Sequence, residues 1–306
     1  VGSYFGMRKI ETDEKGIRFN NAQVYQKLVL AQNYWPETGL TMPDEEAGRK
    51  DILLAKQAGF NGLRIHQKIE DERFLFLCDT EGLLVWAEYP ATYEFNDRAI
   101  SAIATEWLGA VRQQYNHPCV IAWVPFNESW GIPNVYTDKL QQRFTEGIYY
   151  LTKAFDAMRP IMCNDGWEHT CSDIVTVHDY DGCVERVNDR YKNDMKDILD
   201  NKIAPTNYRF VMAKGYEYQG QPIVVSEYGG FKLAGTEGWG YDGEAKDAED
   251  LVRKYDEITS AYKKMEKVFG FCYTQLTDVY HETNGLMSFD RTPKVPLKEI
   301  KKINER

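Results

Sequence analysis

Two segments of this chain set a carboxylate directly after an apolar run. Trp123-Val124-Pro125-Phe126 leads into Asn127-Glu128-Ser129-Trp130, and Val224-Val225-Ser226 leads into Glu227-Tyr228-Gly229-Gly230. A charge at the end of a buried strand is poorly placed unless water or a partner reaches it. Two such carboxylates, distant in sequence, can face each other across the mouth of a barrel. Desolvation and mutual repulsion then raise one pKa and leave the other group ionised, which provides an acid and a nucleophile. That pair is what glycoside hydrolysis requires. Either glutamate alone is weak evidence, because a glutamate at a strand end is often an ion-paired structural residue; the combination carries the argument.

The elements that must hold these residues are legible as an alternation. Continuous apolar runs recur at Val24–Asn33, Phe60–His66, Leu83–Tyr89, Val120–Asn127, Pro160–Asp165, Asp173–Tyr180, Ile223–Glu227 and Phe269–Leu276. Unbroken rather than alternating, they read as strands of a parallel sheet covered on both faces. Helical stripes fill most of the gaps: Ile100, Ile103, Trp107 and Val111; Leu140, Phe144, Ile148, Leu151 and Phe155; Leu251, Tyr255, Ile258, Tyr262 and Met265. Gly59 and Gly82 fall where a left-handed residue would end a helix. The expectation is an α/β fold, a single-domain (β/α)8 TIM barrel. A doubly wound sheet would want a G-x-G-x-x-G after its first strand, and none is present. Only Gly166–Ser172 separates the fifth and sixth runs, too little for a helix, whereas a long polar stretch, Asp181–Gly220, follows the sixth.

Composition narrows the partners. With 306 residues, 37 Lys+Arg and 47 Asp+Glu, the formal net charge is −10. That balance disfavours nucleic acid and anionic membrane as partners, both of which need a basic footprint. No run approaches a bilayer span. The six cysteines are scattered without a CxxC pair, which suits reduced thiols rather than a zinc site or a disulfide framework. Five histidines and no His-x-His after the first strand disfavour a metal-dependent amidohydrolase. A Schiff-base barrel enzyme needs an inward lysine, for which Lys27 is the one strand candidate.

The motifs around the two glutamates resemble the catalytic barrel of glycoside hydrolase family 2, the β-galactosidase, β-glucuronidase and β-mannosidase family. Besides Asn127-Glu128-Ser129 and Ser226-Glu227-Tyr228-Gly229-Gly230, the resemblance covers Ser3–Ile10, Gly59–His66 and Leu77–Leu83. It implies a retaining mechanism in which Glu128 is the general acid and then the base, and Glu227 is the nucleophile. It further implies that Asn127 bonds the sugar 2-hydroxyl, Arg64 pairs with the nucleophile, and Tyr180 donates its hydroxyl to it. His66 and His178 are candidates for sugar hydroxyls, or else satisfied structural histidines. Asp165 could grip a hydroxyl pair, and Trp167 could offer a flat face to the sugar. Trp239, in a glycine-rich loop able to close over substrate, is a further candidate, with Trp35 and Trp130 behind it; Trp86, Trp107 and Trp123 read as packing residues. Gln275 and Asp278 stand where related enzymes often place a tryptophan.

Family β-glucuronidases carry an Asn-x-Lys signature, but the corresponding Thr283-Asn284-Gly285-Leu286-Met287 has no lysine. A neutral sugar, first a β-galactoside, is therefore expected, with glucuronide or mannoside specificity and a non-catalytic carbohydrate-binding barrel as alternatives. No cofactor is expected, and no metal, since the ligands of the family's magnesium site cannot be placed. Residues 1–20 read as an entry segment from an upstream immunoglobulin-like domain, and 21–306 as the barrel. Upstream β-sandwich domains are the expected partners, alongside an oligosaccharide or glycoside substrate.

Overall fold

The computed structural model describes residues 3–306. It opens with a small antiparallel sheet, β1 (Ile10–Asp13), β2 (Gly16–Phe19) and β3 (Ala22–Gln23). The barrel strands follow: β4 (Gln26–Ala31), β5 (Gly62–Ile65), β6 (Leu84–Glu88), β7 (Val120–Val124), β8 (Val175–Asp179) and β9 (Ile223–Gly229). After a short parallel pair, β10 (Lys232–Leu233) and β11 (Glu244–Ala245), β12 (Val268–Thr274) completes a seven-stranded parallel sheet ordered β7-β6-β5-β4-β12-β9-β8. Helices α1 (Glu45–Gln57), α2 (Glu72–Glu81), α3 (Asp97–Gln114), α4 (Lys139–Phe155), α5 (Val184–Asn193), α6 (Met195–Leu199), α7 (Ala248–Lys263) and α8 (Leu297–Glu305) lie between and after the strands. Five of them (α1, α2, α3, α4 and α7) open on an Asp or Asn whose side chain accepts a first-turn amide hydrogen, which fixes where each begins.

The eighth strand, expected over 160–165, is not regular. On one side it is stitched to β7: Trp123 N donates to Pro160 O and Met162 N to Trp123 O (both 3.0 Å). Toward β8, side chains replace most of the ladder. Cys163 N donates to Ser172 Oγ and Gly166 N to Thr176 Oγ1, both at 2.9 Å. The connection 166–172 carries no helix, as expected, and its Ser172 hydroxyl, with that of Thr176 on β8, satisfies backbone that a strand neighbour would have bonded.

Alternation along each strand divides the core in two. Leu28, Leu30, Trp86, Val124, Val224 and Cys272 fill the barrel interior. Val29, Leu63, Val85, Val225 and Phe271 face the helices. Lys27 shares the outward register of Val29, so the inward lysine of a Schiff-base enzyme is not there. Ile10 and Ile17 join the interior cluster. Part of the segment expected as an entry linker is thus a small sheet packed into the barrel.

The stripes of α3 and α7 are buried as expected. That of α4 is only partly so: Ile148 is buried and Phe144 packs against the core, but Leu140, Leu151 and Phe155 are exposed, and the buried face is otherwise Gln141, Gln142, Thr145 and Thr152. Each of three polar groups on this face has a specific partner. Gln142 Nε2 donates to Val135 O (2.9 Å), Thr145 Oγ1 meets Thr170 Oγ1 (2.8 Å), and Thr152 Oγ1 accepts from Trp107 Nε1 (2.7 Å). Hydrogen bonding overrode the hydrophobic period there. All six cysteines are free; Cys78, Cys119, Cys163 and Cys272 are buried, and Cys171 and Cys183 half-buried.

Candidate active site

The strand ends converge on Arg64. Its position on β5 shares the inward register of Leu30 and Trp86 on the neighbouring strands, and its guanidinium is wholly buried. Nη1 donates to Glu227 Oε1 (2.5 Å), and Nη2 to Asn127 Oδ1 (2.7 Å). Nη2 also pairs with Glu88 Oε2 and Nε with Asp165 Oδ2, each at 2.7 Å. One cation thus gathers carboxylates from three strand ends of the barrel. His66 Nδ1 adds a contact to Glu88 Oε1 at 3.0 Å.

Glu227 owes its aim to a bulge. β9 carries one more residue than either neighbour between Val225 and Tyr228, because Val177 pairs with Val225 while His178 pairs with Glu227. The extra residue lets Ser226 and Glu227 both turn inward: Ser226 Oγ donates to Asp165 Oδ1 (2.7 Å), and Glu227 meets Arg64. The Tyr180 hydroxyl donates to Glu227 Oε2, and its ring stacks on Tyr241 at 3.8 Å. Burial would raise the Glu227 pKa, but His178, Arg64 and His66 outweigh it and hold the carboxyl at about 2.

Glu128 sits on a different kind of support. It and Ser129 both adopt positive φ, 53° and 59°, a costly conformation for side chains with a Cβ. The turn is held by Glu128 N donating to Asp165 O (2.9 Å), Ser129 N to Asn164 Oδ1 (2.9 Å) and Ser129 Oγ to Glu168 Oε2 (2.6 Å). Glu128 Oε1 lies 2.8 Å from His178 Nδ1, which is 3.6 Å from Glu227 Oε2. Ligand atoms of Glu128, His178 and Glu227 all lie within 4.8 Å of one another. Burial lowers the His178 pKa, yet Glu227, Asp165 and Glu128 carry it up to about 10.

Most residues expected at the site are therefore brought together: Glu128, Glu227, Arg64, Asn127, His66, His178 and Tyr180. Asp165 is at the site but cannot grip a substrate hydroxyl pair, because it is fully buried and spent on Arg64, Ser226 and His178. The His178 side chain is likewise buried against the carboxylates rather than open to a sugar. Trp167 is only 7% exposed, packed edge-on against His178 with Arg209 over its ring, so its faces are covered. Trp35 is covered too, under Lys68 and Arg291. Trp239 and Trp130 are about half exposed, and Trp130 packs edge-on with Tyr93. Trp86, Trp107 and Trp123 are buried packing residues. Gln275 is buried between Gln32 and Asn284, whereas Asp278 is tied to Lys294 and the Gly285 amide.

Glu88, Asn164, Glu168 and Glu282 were not singled out from sequence. Glu88 follows the apolar residues Leu83–Ala87 within the third expected strand, so the test that found Glu128 would have found it. A cleft of about 1040 Å³ opens beside the site, its wall including Gln32, Tyr34, His66, Lys68 and Tyr93. A second donor cluster, Asp79, His117 and Cys119, lies elsewhere. Its aspartate is already taken up by the Cys119 amide and the His117 ring, each at 2.7 Å. No helix among the described residues is long and apolar enough to cross a membrane.

Comparison with known proteins bears on this geometry. The family model for glycosyl hydrolases family 2, TIM barrel domain, matches residues 10–306. A β-galactosidase of Vibrio cholerae is 26% identical over 98% of this chain, and one of Lactococcus lactis is 29% identical over 53% of it. The chain spans only 29% and 16% of those two proteins. Among solved structures, a β-galacturonidase from Eisenbergiella tayi bound to galacturonate superposes with a TM-score of 0.78 at 21% identity, covering 98% of this chain and 55% of that one. A β-glucuronidase from Ruminococcus gnavus gives 0.77 at 18%, covering 97% and 52%. These structures support the fold; the family match extends across nearly every residue described, and on that ground the chain belongs to glycoside hydrolase family 2.

Proposed function

We propose that this barrel hydrolyses β-glycosides with retention, through Glu227 as nucleophile and Glu128 as acid and then base. The observation that carries the reading is the approach of the two carboxylates and His178 within 4.8 Å of one another. A nucleophile must lie this close to its acid partner, since an inverting pair stands further apart to admit a water.

In the first step Glu227 attacks the anomeric carbon while the Glu128 carboxylic acid gives its proton to the glycosidic oxygen, and the aglycone leaves. In the second, Glu128 takes a proton from water, water attacks the same carbon, and Glu227 is released. Arg64 and Tyr180 each hold one oxygen of Glu227 and keep it ionised. Among the described residues Asn127 Nδ2 donates to no protein group, which leaves it for the sugar 2-hydroxyl. Asp165 acts through Arg64 and His178 as a positioning residue. A neutral glycone, first a β-galactoside, agrees with the curated relatives' names and with the missing lysine after Asn284.

The test is a panel of aryl β-galactoside, glucoside, mannoside and glucuronide, followed by a 2-deoxy-2-fluoro glycoside of the sugar that is cleaved. Cleavage of one neutral sugar, lost in Glu227→Gln, with the fluorosugar attached to Glu227 by peptide mass, is the expected result. An inverted product, or label on another residue, would overturn the mechanism.

A further inference from the structure

The mechanism leaves one carboxylate at the mouth unused. Glu282 is largely buried in the turn after β12, where its oxygens accept from Gln32 Nε2 (3.0 Å) and Asn284 Nδ2 (3.3 Å). Gln275 closes the ring, accepting from Gln32 Nε2 (3.0 Å) and donating to Asn284 Oδ1 (2.7 Å). Among the described residues no lysine, arginine or histidine forms an ion pair with Glu282. Amides make all its side-chain hydrogen bonds; burial pushes its carboxyl up, while Gln32, Asn284 and the charge of His66 pull the other way.

Its position relates it to the reacting groups. Gln32 shares the cleft wall with His66. The backbone of 281–283 is bonded to Trp239, whose N donates to His281 O (2.8 Å) and whose O accepts from Thr283 N (2.9 Å). Trp239 packs on Tyr241, which stacks on Tyr180 beside the nucleophile. Burial raises the Tyr241 hydroxyl, and the charges of Glu227, Glu282 and Glu128 raise it further. His66 acts on Glu282 through space from the cleft wall but contacts Glu88, and the other cations nearby are committed. Arg64 is buried under its own partners, and Lys294 is held by Asp278 Oδ1 (2.6 Å) and Thr283 O (3.0 Å) on the other side of this turn.

We propose that Glu282, held by Gln32, Gln275 and Asn284, determines the charge of the sugar this site accepts: its carboxylate bonds the hydroxyls of a neutral glycone and repels a uronic one. The inference rests on the site being a glycosidase site and deepens it. Discrimination by a repulsive group needs no new attractive contact, only a like charge placed where the wrong substrate must put its own. It also gives the turn a role opposite to that of a carboxylate-reading lysine at the same place.

The test is calorimetric binding of isofagomine and of its uronic derivative, which differ by the ring carboxylate, to the protein as it stands and to Glu282→Gln. The unsubstituted protein is expected to bind isofagomine at least about tenfold tighter than the uronic form. In Glu282→Gln that ratio is expected to shrink by at least about fivefold, chiefly because the uronic form binds better. A purely structural role would weaken both ligands together and leave the ratio in place. Equal or tighter binding of the uronic form by the unsubstituted protein overturns the proposal even if the variant fails to fold. So does an unchanged ratio in the variant, or binding of neither ligand. Fluorosugar label away from Glu227 would instead sink the mechanism while leaving the binding preference standing.

Discussion

Glu227 and Glu128 end two strands of one barrel, and the protein treats them oppositely. Glu227 is 5% exposed, with Arg64 on one oxygen, Tyr180 on the other, and three positively charged groups holding it ionised. Glu128 is 26% exposed, touches one imidazole, and stands on a turn with two consecutive positive φ angles. The environment of the proposed nucleophile is built from charge, that of the proposed acid from backbone geometry. A group that must stay ionised needs fixed counter-charges on its oxygens, whereas one that must give and take a proton needs access to water. The floor around Arg64 should therefore carry both stability and activity, and the rim around Glu128 activity with little stability.

The largest separation should come from removing each carboxylate's charge. Glu227→Gln is expected to lower kcat by about 10⁴-fold or more on every aryl glycoside, since no other group can form the covalent bond. Glu128→Gln should cost about 10²–10⁴-fold on substrates with poor leaving groups. On a dinitrophenyl glycoside, whose leaving group needs no proton, its first step should be nearly unaffected. Steady-state and burst kinetics on a leaving-group series measure both; equal losses across the series in Glu128→Gln would erase the assigned difference.

Stability should divide the same two regions. Arg64→Met leaves Glu88, Asp165 and Glu227 buried without their shared guanidinium, and a broken buried ion network of this kind costs about 3–5 kcal/mol. Glu128→Gln, at a half-open site, should cost less than about 1 kcal/mol. Urea unfolding of both variants decides it: similar losses would mean the floor is no more structural than the rim.

This contrast also marks where the sequence was readable. Glu128 and Glu227 were found because a charge after an apolar run is conspicuous, and Arg64 and Tyr180 because family motifs carry them. What escaped were consequences of three-dimensional closure. Asp165 looked like a sugar ligand because a strand-end aspartate has the right chemistry; only the fold shows Arg64, Ser226 and His178 consuming it. Seven strands and α7 were legible from period and burial, but α4 buries threonines and glutamines whose partners lie on other segments. The eighth strand failed for a related reason: Ser172 and Thr176 hydroxyls do what a ladder would have done, and apolar runs do not report that.

The floor's charges also predict how stability varies with pH. The Glu227 carboxyl falls from 4.5 to about 2 on folding, so its stabilisation is complete above 4.5 and lost as pH falls toward 2. His178 rises from 6.5 to about 10, so its contribution is complete below 6.5 and lost as pH climbs through 10. Tm should therefore plateau between about pH 4.5 and 6.5 and decline on both sides. His178→Asn should flatten the alkaline decline and also soften the acid one, because His178 is the foremost of the charges that hold Glu227 ionised. An alkaline slope that survives the substitution would place its origin in another group, His66 beside Glu88 first among them.

A difference of about 1 kcal/mol between two variants of the turn under Glu128 sharpens the rim's side of the comparison. Ser129 is held at φ 59° by a hydroxyl that donates to Glu168 (2.6 Å) and accepts from Asn164 Nδ2 (3.0 Å). Ser129→Ala removes both bonds, leaves buried polar atoms short of a partner, and should cost about 1–3 kcal/mol. Ser129→Gly removes the same bonds but also the Cβ that disfavours positive φ, and should recover about 1 kcal/mol of that loss. Urea unfolding separates the two variants. If Gly is no better than Ala, backbone strain is not what the hydroxyl is holding. If kcat on poor leaving groups falls severalfold in both while fluorosugar labelling of Glu227 keeps its rate with a dinitrophenyl leaving group, the turn's task is to aim the acid, and the nucleophile's network does not depend on it.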